Sequence, residues 1–399
     1  MPSLVGSEMC IRDRLLHSLF LWVMKSKKTV IIGVGLIACV GIYSMLQIKV
    51  NNYLLEDLSD TDPIKKDVLF FEKNYSGIRP FEMMIKTKHK EGIFNYEVAK
   101  EIEKVENYLR KNYSPNGVGF LLSPLTIIKE ANFVKHHANS NFRKFPKSKR
   151  RFNSIVKYLR KWKNVETGNN KILTMSFLDK SGLTGRIAGK INDIGGLAIK
   201  SENQKLFNFI DNNINPNLLT VELTGTALLI DENNSYLALN LVKGLLIAFL
   251  IIGCIVGFMF KSLKLAFLTL IPNVLPLLMV MFIMWVGGID LKISTSLIFT
   301  LAFGISVDDT IHLLAKYKLE IKKGRSHSLA LKRSYLSSGK AIIVTTLILV
   351  GGFLTLLFSS FASTFYMGLL ISITLLFAVT LDLLIMPIII LYVLSLIHI

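Results

Sequence analysis

Acidic residues and cysteine are both scarce in this sequence. Its 399 residues carry 28 Asp and Glu against 47 Lys and Arg, a formal net charge of +19. The three cysteines are Cys10, Cys39 and Cys254; the last two fall in apolar stretches, so no disulfide framework or metal cluster is readable. There is no CxxC pair, no Walker loop and no GxGxxG after a strand, which argues against a nucleotide-driven pump. No recognition module for nucleic acid accompanies the positive charge. His89, His136 and His137 have no acids at metal-binding spacing, so the sequence calls for no metal, no cofactor and no enzymatic role.

What the chain has instead is apolar length. Hydrophobic residues make up 51% of it, and a mean hydropathy of +0.47 is too high for an ordinary soluble protein. Six stretches are long enough to cross a bilayer, which takes about 20 residues each. They are Val30–Ile48, Leu241–Phe260, Leu265–Val286, Ile293–Leu314, Ala341–Phe358 and Met367–Val393. The first follows the basic cluster Lys25, Lys27, Lys28 and lacks an Ala-x-Ala cleavage site, so it reads as a retained anchor rather than a signal peptide.

The two ends are expected to be foreign. Met9–Arg14 can be encoded by ATG TGT ATA AGA GAC AGN, whose reverse complement reads Leu-Ser-Leu-Ile-His-Ile, the last six residues. One DNA element read on opposite strands accounts for both, and it resembles the transposon end used in sequencing adapters. Residues 1–14 and 394–399 are therefore set aside as adapter-derived. The remainder divides into a first span at 15–48, an external domain at 49–240 and a five-helix bundle at 241–393.

Loop charge sets the orientation. Lys261 and Lys264 join the second and third spans, and Lys316, Lys318, Lys322, Lys323, Arg325, Lys332, Arg333 and Lys340 lie between the fourth and fifth. The loops Gly287–Lys292 and Ser359–Tyr366 hold only Asp290 and Lys292. The positive-inside rule puts the basic loops in the cytoplasm and residues 49–240 outside. That outer region alternates at Phe81–Lys86, Ile172–Phe177 and Leu218–Gly225 as strands do, with helical patterns at Tyr96–Asn112 and Glu202–Asn213. It reads as an α+β domain rich in βαβ units. From Phe142 to Lys163 it is heavily basic, which reads as a solvated helix face or as a contact with anionic lipid or a partner.

The sharpest chemical signal lies in the fourth span, Gly304-Ile305-Ser306-Val307-Asp308-Asp309-Thr310-Ile311-His312. One ionised acid at mid-membrane costs about 2.5–3.5 kcal/mol on insertion scales. Two adjacent carboxylates also disfavour each other's ionisation, which suits the pair to taking up and releasing a proton. His312 sits four residues after Asp308, on the same helix face. Gly304 and Ser306 are small enough to let another helix approach. Thr345 and Thr346 on the fifth span either bond the acids or back-bond to their own helix. Asp382 in the last span has a structural or a functional partner, and Pro272 and Pro276 are expected to kink the third span.

These residues resemble the resistance-nodulation-division (RND) superfamily, in particular its MMPL-type exporters and the related sterol-sensing, Patched-like proteins. The resemblance rests on the Gly304–His312 motif, on Ile271-Pro272-Asn273-Val274-Leu275-Pro276, on Thr224-Gly225-Thr226-Ala227 and on Leu381-Asp382-Leu383-Leu384. It implies a polytopic α-helical membrane protein with a ferredoxin-like external porter domain between the first and second spans. It also implies that this chain is one half, the C-terminal one, of a two-half transporter. In such a transporter proton flux through Asp308 and Asp309, with His312, Thr345 and Thr346, drives export of lipids or other hydrophobic or amphiphilic molecules. The resemblance further implies residence in a bacterial inner membrane with the external domain in the periplasm. The implied partners are membrane lipids, the missing N-terminal half and a periplasmic or outer-membrane component. A sterol-sensing, lipid-binding protein and a protein-export accessory subunit share enough of the pattern to stand as alternatives.

Overall fold

The computed structural model describes residues 4–59, 61–114, 116–163 and 177–397. They form two compact units, one of residues 1–51, 57–59 and 234–399 and the other of residues 52–56 and 60–233.

Helices dominate the first unit. It contains α1 (Leu4–Lys25) and α2 (Lys27–Gln47). The second unit supplies α3 (Pro63–Asn74), α4 (Tyr96–Lys111), α5 (Pro124–Lys135), α6 (Lys149–Lys163) and α7 (Gly196–Asn213). Then come α8 (Thr226–Phe260), α9 (Leu263–Val286), α10 (Ile293–Lys322), α11 (His327–Leu354) and α12 (Ala362–Ile397). Among the described residues, six of these helices (α2 and α8 to α12) are long and apolar enough to cross a membrane. The chain is a multi-pass membrane protein.

Each expected span lies on one of these helices, but the helix ends fall elsewhere. Helix α8 starts about four turns before the apolar run at Leu241, because no Pro or Gly interrupts residues 226–240. Helix α10 continues to Lys322 and α11 begins at His327, so most of the basic residues expected in a loop between them lie on helical extensions. Hydropathy marks where bilayer contact ends; the backbone stays helical until Gly324, at φ +77°, breaks it. Pro272 and Pro276 lie inside α9, which stays helical through both.

Helix α12 packs against α9, α10 and α11, and α9 packs against α2. The approach of α2 is close: a Cβ on Gly41 would stand 2.5 Å from the Leu278 Cβ. Small residues let membrane helices pack backbone to backbone in this way. The segment after α2 is stitched to the loops of the same unit. Asn51 N–H donates to Leu291 O at 3.3 Å and Ala362 N–H to Asp57 O at 2.9 Å. Asp57 accepts from Lys292 Nζ at 2.9 Å and from the Ser363 hydroxyl. Burial pushes the Asp57 carboxyl up, but these hydrogen bonds and the Lys292 charge outweigh it and hold it below its ordinary value.

The second unit is an α+β domain. Its sheet has the order β2-β1-β3, where β1 is Arg79–Lys86, β2 is Thr184–Ile191 and β3 is Thr220–Thr224. Both neighbours run antiparallel to β1, with Met83 opposite Ile187 on one side and Leu223 on the other. Strands β2 and β3 are therefore parallel, joined by α7 and separated by β1, a split βαβ unit. Met83, Ile85 and Ile187 face Val98, Ile102 and Val105 of α4 and Leu125 and Ile128 of α5, all fully buried. The expected strand at Ile172–Phe177 lies, but for its last residue, outside the described residues.

One buried ion cluster fixes this unit. Arg79, 1% exposed, reaches Asp193 at 2.9 Å and also pairs with Asp231. Asp193 accepts in addition from Leu54 N–H at 2.5 Å. Burial works against the Arg79 charge, but the two acids outweigh it and hold the guanidinium above its ordinary pKa.

Candidate functional site

Helix geometry separates the two acids of the fourth span. Consecutive residues on a helix point about 100° apart, and α10 can turn only one of the pair inward. Asp309 is that residue, 7% exposed. Asp308 is turned outward with a side chain 71% exposed, and it meets the equally exposed His312 at 3.5 Å. The pair therefore does not act on one face. Asp308 and His312 are brought together; Asp309 lies on another face of α10 but within electrostatic reach of both.

Around Asp309 four helices contribute polar groups. Thr346 of α11, 2% exposed, hydrogen-bonds the Asp309 side chain. Thr345, one residue earlier, is turned to its own helix and donates to Ala341 O at 3.0 Å or Ile342 O at 2.9 Å. The hydroxyls thus divide between the two outcomes the sequence leaves open. Asp382 of α12 is 1% exposed and within electrostatic reach of Asp309. Asn273 of α9, also 1% exposed, donates through Nδ2 to Thr269 O at 3.0 Å. Its Oδ1 accepts from Ser306 at 2.9 Å and lies 3.2 Å from Thr310 Oγ1.

Thr310 is the hinge of this network. Its Oγ1 stands 3.2 Å from Asn273 Oδ1 and 3.0 Å from Asp382 Oδ1. A hydroxyl has one hydrogen and cannot donate to both acceptors. If Asp382 is ionised, Thr310 donates to it and leaves Asn273. If Asp382 carries a proton, it donates to Thr310, and Thr310 donates to Asn273. The direction of the chain thus reports the protonation of Asp382. The other carboxylate oxygen, Asp382 Oδ2, is buried and has no hydrogen-bond partner among the described residues. An unsatisfied buried charge is costly, and a proton on Oδ1, the oxygen that faces Thr310, removes that charge while keeping the hydrogen bond.

Gly304 is not covered: a Cβ there would meet nothing within 4 Å. Ser306 is 1% exposed and gives its hydroxyl to Asn273 rather than only permitting close packing. On sequence grounds Asn273 and Thr310 stand out only as members of the quoted motifs. Their signal was present, since Asn273 is an amide in an apolar run between two prolines, but only the tertiary contacts tell a network from an isolated polar residue. Among the described residues no group of three or more His, Cys, Asp or Glu is placed to hold a metal.

Comparison with known proteins places the site in context. Residues 198–395 match the model of the MMPL family, a range that includes all four helices of the polar cluster. A Methanocaldococcus jannaschii protein that bears the name "putative membrane protein" is 33% identical over 93 residues, 22% of this chain and 24% of that protein. The matched segment spans about a quarter of that relative's length.

Proposed function

From the premise that this chain is an RND/MMPL-type membrane protein, we propose that it is one half of a proton-driven transporter of hydrophobic or amphiphilic molecules. The observation that carries this reading is the four-helix polar cluster with two buried acids, Asp309 and Asp382, and no basic residue in any bond described for it. A cluster built only to hold helices together needs hydroxyls and amides, which cost far less in hydrocarbon than acids do.

On this reading Asp309 and Asp382 hold the proton, and Thr310 and Thr346 pass on its presence by turning their single hydrogens. Asp308 and His312 face outward, where the other half of the protein would complete the path. The second unit serves as the external porter domain, on the periplasmic side of a bacterial inner membrane, and receives cargo from the lipid phase. We assign the protein no enzymatic chemistry. One proton moved through 100 mV supplies about 2.3 kcal/mol, which sustains a cargo gradient of roughly fortyfold.

The test uses the full-length protein reconstituted in vesicles with an imposed proton gradient. Asp309→Asn and Asp382→Asn should each insert normally but lose gradient-driven transport. Transport that persists in both variants, or that ignores an uncoupler in the wild type, would sink the reading.

A further inference from the structure

The segment from Phe142 to Lys163 contains ten Lys and Arg and no Asp or Glu. Its helical part, α6, buries Phe152, Ile155 and Val156 in the core of the second unit. The remaining surface is cationic: Lys147, just before the helix, and Lys149, Arg150, Arg151, Lys157 and Arg160 on it are all exposed. None of the six has an acidic partner among the ion pairs of the described residues. The nearby Glu130 is already engaged, by Arg143 at 3.0 Å.

Two features set this face apart from an ordinary solvated helix. The first turn of α6 carries Lys149, Arg150 and Arg151 and no acid. The helix dipole is positive there, so cations destabilise the end they occupy. An external anion would offset that cost. The second feature is order. The Arg143 guanidinium lies 4.1 Å over the Phe133 ring, and Arg151 lies 5.8 Å from the Phe142 centroid. Phe142 in turn stacks on His136 at 4.0 Å with the planes 4° apart. Guanidinium groups held against rings lose less freedom when they bind phosphate.

We propose that this cationic face of α6 docks on a phosphate-bearing lipid surface. A lipid surface suits it better than a soluble anion for two reasons. The charges spread along a whole helix face rather than converge on one pocket, and the domain is tethered by its chain to membrane spans on both sides, which keeps headgroups at high local concentration.

Flotation of the full chain tests this. The protein is held in nanodiscs of neutral phosphatidylcholine and mixed with vesicles of equal parts phosphatidylglycerol and phosphatidylcholine, or of phosphatidylcholine alone. The wild type should float with the anionic vesicles only, and added salt should release it. Each basic residue near an anionic surface strengthens binding roughly fivefold. The triple variant Lys149→Gln, Arg150→Gln, Lys157→Gln should therefore bind roughly a hundredfold more weakly. These side chains are exposed, so its melting should match the wild type; if it does not, the single variant Lys157→Gln is read for its fivefold loss instead. Equal flotation with both vesicle types overturns the proposal, as does unchanged binding by the variants. Displacement by millimolar inorganic phosphate would point to a discrete anion pocket, and retention by polyglutamate without flotation would point to an acidic protein; either outcome overturns it as well.

Discussion

The two units each bury a cluster of charged and polar side chains, and the clusters are built in opposite ways. In the second unit Arg79 stands between Asp193 and Asp231, so a full positive charge answers the acids. In the first unit the buried Asp309 and Asp382 meet two threonines and, through Thr310, an asparagine, and no cation bonds them among the described residues. A cluster built around a permanent cation, here one guanidinium shared by two acids, keeps its charges in place and acts as a lock. A cluster whose acids hydrogen-bond only neutral groups, with Asp308 and His312 within electrostatic reach of Asp309 but not bonded to it, rearranges its hydrogen bonds with each proton gained or lost. The comparison teaches that burial alone does not distinguish the two clusters; what differs is whether a cation is bonded to the acids.

The strongest way to break this contrast is to remove the uncompensated acid. Asp309→Asn in the full-length protein should reduce proton-driven transport to background while membrane insertion stays intact, measured by cargo flux in reconstituted vesicles. Next in size is the lock. Arg79→Met leaves two buried acids without their cation, which should cost about 3–5 kcal/mol, read as lost hydrogen-exchange protection in the β1 strand. Removing one acid as well, in Arg79→Met/Asp193→Asn, should recover part of it.

Smaller effects sharpen the picture. Thr310→Val cuts the link between Asn273 and Asp382 and should cost about 1–3 kcal/mol in stability, with a shifted pH profile of transport that Thr310→Ser restores. At Asp57 the carboxyl is depressed in the folded state, so its contribution is present above the ordinary carboxylate range near 4 and is lost as pH falls through the folded value. Asp57→Asn should therefore loosen residues 49–59 at neutral pH by at most about 1 kcal/mol, since its side chain is half exposed. The difference from wild type should vanish in acid, as limited proteolysis can report. The smallest change is expected from Thr345→Val, which gives up only a bond within its own helix turn. Thr346→Val, its neighbour, should shift the pH dependence of transport.

Much of the membrane unit was legible because bilayer burial imposes a long apolar run on every span. The ends of α8, α10 and α11 were not, since a helix carries on through polar residues until a breaker such as Gly324 stops it. In the second unit β1, α4 and β3 follow from alternation and amphipathic spacing. Strand β2 hid behind four glycine or charged interruptions, Gly185, Arg186, Gly189 and Lys190, and is held by its pairing with β1 rather than by its own pattern. The Gly304–His312 motif lies on α10, the helix that carries the buried Asp309. It could not say which of Asp308 and Asp309 turns inward, because both choices fit the periodicity of α10 and only the neighbouring helices decide.

Three prolines gain a meaning from where the acids lie. Pro272 and Pro276 flank Asn273 within α9, and Pro387 follows Asp382 by about one turn within α12. Each proline lacks the N–H that would bond the carbonyl four residues earlier, so the main-chain ladder is already open beside the polar cluster. Bending a helix there breaks fewer bonds than bending it anywhere else along its length. The buried polar groups of these two spans thus lie beside their most compliant points, and on the proposed reading the transfer of one hydrogen would act on the part of the scaffold that resists it least.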